Sequence, residues 1–305
     1  VVETFERGGK EPAIGDLYYV SYEYTKQDFI SAFYTKMSSI EKAYGAISTD
    51  KPVYLAAYLA LLNGAFLMGI NQVQKDEGET QASLTSYRAA IEELEGVLPG
   101  QAKPDIIIPL RGDSTSLYQI LARSNDIQSS IRYRSERTSI VGVSAGTTPE
   151  QVGAMAQTLG NARMRVVYPD MATITFTDQF NNSREEIIDG PYLAAALAGS
   201  VVSPNVDVAT PWTGRKLVGF TQLARQLDAV QQNLVAVKGV TVLEDKPPFL
   251  RVRHGLTTNM ANILTKTPTI IPIADEVQRQ ARVVLEQFIG IKFLLSRDGE
   301  IPRGM

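Results

Sequence analysis

The 305-residue chain is 44% hydrophobic and 21% charged, a mixture that argues against disorder, collagen-like repeats and coiled coil. Its net charge of −3 offers no global attraction to nucleic acid or to an anionic membrane. The chain has no cysteine and one histidine, His254, so disulfides, thiolate nucleophiles and polyhistidine metal sites are all excluded.

The chain opens Val1-Val2-Glu3, with no initiator Met and no secretory pattern, and reads as a piece of something longer. Leu17 to Tyr24 is rich in β-formers and predicts a strand; Asp28 to Tyr34 predicts a short helix. Lys51-Pro52 opens an uncharged stretch, Val53 to Ile70, long enough to raise a membrane helix. It contains Asn63-Gly64, several Ala and two Tyr, and its flanks lack Lys/Arg clusters, so a buried helix of a large core is the better reading. Lys75 to Thr80 is a charged loop, and Leu84, Tyr87, Ile91 and Leu94 set one face of the next helix.

Ile106 to Leu110 reads as a strand buried on both faces. Helix from Ser114 to Arg123 and strand from Ser139 to Val143 follow. Thr148-Pro149-Glu150-Gln151 is a helix start, with Thr as cap, Pro first and Gln third. A strand over Arg163 to Tyr168 and a small-residue helix over Tyr192 to Leu197 continue an alternation that implies βαβ crossovers. Past Pro211-Trp212 come a polar helix (Thr221 to Asn233) and two strands, 240–244 and 249–254, joined as a hairpin across Asp245-Lys246-Pro247-Pro248. Asp275 opens the last helix. Its apolar stripe Val277, Ala281, Val284, Leu285 and Phe288 is expected to pack as a core face with Phe288 buried, and Glu276, Arg279, Arg282 and Glu286 face away as a polar contact surface for other subunits. Gly290 stands at the cap position, and Ile291 to Leu295 begins a further strand.

Gly142-Val143-Ser144-Ala145-Gly146 matches G-x-S-x-G after a strand, with His254 downstream as in α/β-hydrolases. The next helix starts only at Pro149, no glycine-rich oxyanion loop precedes it, and His254 sits inside an alternating strand. A strand-to-helix turn is the better reading. Arg111-Gly112-Asp113 reads as a turn, and Arg132-Tyr133-Arg134 with Arg137 as a solvated face. Asp189 and Asp275 read as helix-start residues, and no Walker or G-x-G-x-x-G cradle is present.

Gly239 to Glu244, then Arg251-Val252-Arg253-His254-Gly255-Leu256-Thr257-Thr258, then Asp275 and its amphipathic helix, resemble the signature stretch of contractile phage tail sheath proteins. Phe29 to Gly45 followed by Tyr54 to Ala57 and Asn63-Gly64 is similar to that family's early segment, and Asp189-Gly190-Pro191 and Thr210-Pro211-Trp212 fit as well. The Thr-Thr segment is the specific part. The resemblance implies the central part of a sheath subunit from a large myovirus-type phage, located in the virion tail and assembled in the host cytoplasm. Its partners would be other sheath subunits in a helical homo-oligomer, the tail tube and the baseplate; no nucleic acid, membrane, cofactor, metal or catalytic residue is implied. A bacterial contractile injection system shares the architecture. The fold class expected is α/β, a mixed, largely parallel sheet with flanking helices over 1–238, then a β-hairpin and amphipathic helix over 239–305 that start a second sheath domain. This piece alone, lacking the terminal arm and the receiving domain, is expected to be a monomer.

Overall fold

The computed structural model describes residues 32–44, 52–71, 73, 81–95, 103–177 and 183–288. The expected strand over 17–24, the loop over 75–80, the Gly290 cap and the strand over 291–295 lie outside the described residues.

In chain order the elements are β1 (Ala32–Tyr34), α1 (Met37–Tyr44), α2 (Pro52–Leu62), β2 (Met68–Ile70), α3 (Leu84–Glu95), β3 (Ile106–Ile107), α4 (Thr115–Gln128) and β4 (Thr138–Gly142). Then follow α5 (Pro149–Leu159), β5 (Met164–Tyr168), β6 (Met171–Thr177), β7 (Ser183–Asp189), α6 (Gly190–Val201), β8 (Lys216–Leu217) and β9 (Gln222–Leu223). The chain continues through α7 (Ala229–Val237), β10 (Val240–Lys246), β11 (Phe249–His254), α8 (Ile263–Lys266) and α9 (Ile270–Glu286).

The central sheet has six strands in the order β3-β4-β5-β10-β11-β8. The first four run parallel, the hairpin partner β11 is antiparallel to β10, and edge β8 is antiparallel to β11, which is the mixed, largely parallel sheet that the helix–strand alternation implies. One face is covered by α4, α5 and α7, whose Leu117, Leu121, Val152 and Val235 meet Val141, Val166 and Val240. The other face is covered by α6 and the buried Trp212, packed on Ile140, Val167, Leu243 and Val252. Helix α2 lies outside α6, against a three-stranded sheet β7-β6-β9. Gly199 makes that stacking possible, because a Cβ there would stand 2.1 Å from the Ala60 carbonyl oxygen.

Several expectations are corrected by tertiary pairing. Residues 32–34 form a strand, not the end of a helix, because they pair in register with Met68–Ile70. Helix α2 stops at Leu62, where Gly64 takes a φ of 111°. Asn63 explains the turn: its side chain bonds the Leu59 and Val218 carbonyls at 2.8 and 3.1 Å and accepts from the Val218 N–H at 2.9 Å, tying α2 to the chain beyond β8. The Ile106 strand is a two-residue, half-buried edge, since among the described residues β4 is its one neighbour and Pro109 has no N–H to extend the ladder. Residues 222–223 are drawn into the sheet with β6, so α7 begins only after Asp228, where Gln231 completes a capping box. The capping box at Thr148 and Gln151 is present as expected. Strand β10 pairs with β5, so the hairpin lies inside the six-stranded sheet.

The last helix departs most. It begins five residues earlier than expected, at Ile270, and Asp275 is buried within it. Its stripe is not core: Val277 is 62% exposed, Leu285 63% and Phe288 51%. The helix is seated through its charged edge instead. Phe288→Ala is therefore expected to change stability by no more than about 0.5 kcal/mol, the range of surface substitutions. Equilibrium denaturation checks this; a loss of several kcal/mol would put Phe288 back in a core.

Candidate functional site

The G-x-S-x-G loop at the end of β4 is a packing device. A Cβ on Gly142 would stand 2.1 Å from the Gly190 carbonyl carbon and oxygen, so strand β4 and the first turn of α6 touch backbone to backbone. The Ser144 N–H donates to the Gly112 carbonyl at 3.1 Å. Gly146, at φ 87°, points its N–H at the buried Asp170 carboxylate, 2.7 Å away, and Arg225 pairs with the same carboxylate at 3.2 Å. The Thr147 carbonyl accepts from both Tyr168 Oη and Arg225 Nη1. His254 ends β11, three strands across from β4, which places it about 14 Å away at ordinary strand spacing. Serine and histidine are not brought together. A fluorophosphonate probe is expected to leave Ser144 unlabelled, and Ser144→Ala to melt with the parent; stoichiometric labelling lost in that variant would reverse the reading.

The other candidates disperse. Arg111 pairs with Asp113 at 2.6 Å and donates to the Ala82 carbonyl, the geometry of a local turn. Arg132, Tyr133 and Arg134 are exposed, with Arg134 at φ 51°, but Arg137 is buried away from them against Glu95 and Ser124. Asp189 stands at the N-cap position of α6 without a side-chain capping bond, and burial raises its pKa. Among the described residues no cluster of histidine and carboxylate side chains could hold a metal ion, and no helix is long and apolar enough to cross a membrane.

What does assemble is the seat of α9. Arg163, just before β5, grips Asp275 with two parallel bonds of 2.6 and 2.8 Å. Arg282 meets Glu136 at 2.6 Å, and Arg279 meets Asp105 at 3.1 Å and Glu136 at 4.0 Å. Glu276 pairs along the helix with Arg279 at 3.3 Å, and Glu286 is exposed at the helix end. Of the four polar residues picked from the sequence, two thus face their own subunit. The residues that receive them, Arg163, Glu136 and Asp105, lie more than a hundred positions upstream and carry no local signal.

The seat has a titratable latch. Burial alone would raise the pKa of Glu136, but bonds from Arg282 and from its own backbone N–H, with the charges of Arg282 and Arg279, hold it below the usual carboxylate range. A depressed carboxylate contributes stability above its unfolded pKa and loses it as pH falls through the folded value. Amide exchange in α9 is expected to speed up on acidification below the ordinary glutamate range, ahead of the central strands; an exchange rate in α9 that tracks the central strands at every pH contradicts this.

The Thr257-Thr258 segment stitches α9's approach to the body. Both residues are buried. Thr258 bonds Met164 through its N–H at 3.0 Å, and its hydroxyl both accepts from the Asn161 N–H and donates to the Asn161 carbonyl. Thr257 reaches forward to the Thr265 and Lys266 backbone. Nearby, fully buried Arg165 donates to the Pro268 carbonyl at 2.7 Å and lies over the Trp212 ring at 5.5 Å. Burial, then the positive charge of Arg163, push its pKa down to about 9, which leaves it charged at neutral pH. The Pro-Trp and Thr-Thr elements thus meet at one junction.

No protein-family model matches the sequence, and no curated protein matches it in sequence. Solved structures do match in fold. A sheath tail protein from Desulfitobacterium hafniense is similar over 73% of this chain and 49% of its own, at 10% identity and a TM-score of 0.52. The contracted helical sheath of the anti-feeding prophage matches over 87% and 67%, at 15% identity and a TM-score of 0.58. The contracted PVC sheath of an extracellular contractile injection system matches over 89% and 66%, at 12% identity and a TM-score of 0.59. The chain spans about half to two thirds of the length of these structures. With its parallel sheet, its hairpin and its stitched Thr-Thr junction, this chain has the fold of the contractile sheath proteins.

Proposed function

We propose that the chain is a structural subunit of a contractile tail sheath, working by assembly and not by catalysis. The observation that carries this reading is the fold match to helical sheaths over most of the chain, alongside a G-x-S-x-G loop spent on packing. In this reading the subunit stacks with copies of itself in a helix around a tail tube, meets a baseplate, and belongs to the tail of a phage virion built in the host cytoplasm. The α/β body is the sheath domain, the segment after it starts the next one, and this chain alone is a monomer at micromolar concentration.

A second reading, the sheath of a contractile injection system, is favoured by the match to the PVC sheath of an extracellular contractile injection system, at a TM-score of 0.59 over 89% of this chain. Electron microscopy of the protein expressed from its complete reading frame tests both. Hollow helical tubes are expected; globular particles with a saturable small-molecule site would sink them. Particles purified from the native source separate the two readings by the presence or absence of a DNA-filled head.

A further inference from the structure

We infer that the outward stripe of α9 docks on the outward face of α7 in a second copy of this chain. The inference rests on the sheath reading for its setting, a repeating array, but its observations are those of the molecule.

The stripe lies directly opposite the seat. Asp275, Arg279 and Arg282 face the body, while Val277, Ala281, Val284 and Phe288 face outward at spacings of 4, 3 and 4. That is the spacing of a seam whose natural partner is another helix, because alternating steps of three and four keep one line of side chains against one neighbour. Contiguous exposed apolar surface of this kind marks an interaction site.

Among the described residues α7 offers the matching seam. Val230, Leu234 and Val237 step by 4 and 3 along its outer face and are 76%, 45% and 74% exposed, while Gln232, Val235 and Ala236 hold its inner face to the body. Both seams are flanked by uncharged amides, Gln278 and Gln280 on α9 and Gln231 and Asn233 on α7, so no like charges oppose the contact. Asp275, Arg279 and Arg282 are engaged on their own subunit, and Glu276 pairs along the helix with Arg279, while Glu286 stays exposed at the helix end. Small Ala281 between two valines leaves room for a larger side chain such as Leu234.

Geometry also favours two copies in a row over a symmetric pair. A contact between different surfaces of identical subunits is head-to-tail, and it propagates into a ring or an open helix instead of closing as a dimer. One helix pair buries well under the roughly 1,200 Å² of a stable complex. The single contact is therefore weak, in keeping with a chain that is monomeric at low concentration and linked only within an array.

The natural absence of cysteine makes the test clean. Two full-length variants, Val284→Cys and Leu234→Cys, are mixed at high protein concentration with a short bis-maleimide. The mixture is expected to yield about tenfold more cross-linked dimer than either variant alone, equivalent to about 1.4 kcal/mol of preferred contact. Adding Val277→Glu to the Val284→Cys chain is expected to abolish that excess without moving the melting temperature, since the site is exposed. Equal yields in the mixture and in the single variants overturn the inference, and efficient dimers from Val284→Cys alone would replace it with an α9–α9 contact. Negative-stain tubes formed without the cross-link remove this contact and leave the sheath reading standing; a cross-link without tubes does the reverse.

Discussion

Asp275→Ala is expected to release α9 from the body. Asp275 is 3% exposed and takes two charge-assisted bonds from Arg163, which is itself largely covered. Removing one partner of such a pair leaves an uncompensated charge and costs about 3–5 kcal/mol while the helix stays seated. The other contacts of α9 with the body include the Arg282–Glu136 pair, whose carboxylate is also buried, the more exposed pairs of Arg279, and half-buried Ile270, Ile271 and Ile273. Detachment lets Arg163 regain water, which relieves the buried charge that the substitution leaves. Hydrogen exchange is expected to lose its protection across 270–286 while β4 and β5 keep theirs. Replacing both partners, Arg163→Met with Asp275→Leu, is expected to restore most of the protection, because no buried charge is then left alone. Unchanged exchange in α9 after Asp275→Ala would show that the pair does not seat it.

Gly142→Ala is expected to be the most damaging change in the G-x-S-x-G loop. The new methyl would meet the Gly190 carbonyl carbon and oxygen at 2.1 Å, and both sides of that contact are backbone. No rotamer relieves it. Strand β4 would have to part from α6, disturbing the Gly190 N–H bond to the Val143 carbonyl. Overpacking costs about 1–3 kcal/mol where side chains can shift, and here the upper end or beyond is expected. Gly146→Ala is the control. Its φ of 87° is strained for any side chain, but open space surrounds it, so a loss of about 1 kcal/mol is expected. Urea denaturation of the two variants and of Ser144→Ala orders them; Gly146 emerging as the costliest position would mean that the loop matters for its turn and not for its contact with α6.

The sequence by itself determined what depends on near neighbours in the chain. The Thr148–Gln151 capping box, the strand at Arg163 to Tyr168 and the hairpin around Pro247-Pro248 are all local chemistry, and each stands in the structure within a residue or two. The Thr-Thr segment was legible as a resemblance, but its work, stitching Asn161 and Met164 to the approach of α9, joins residues about a hundred positions apart. Tertiary structure alone decided which face of α9 turns inward. Periodicity shows that a helix has an apolar side, and burial of such a side is the usual outcome. Here Arg163, Glu136 and Asp105, gathered at the N-terminal ends of β5, β4 and β3 from separate segments, complement Asp275, Arg282 and Arg279 on the opposite side. Paired, hydrogen-bonded charges at that end of the sheet leave the apolar stripe facing solvent, and the partners that make that choice all lie outside 270–288.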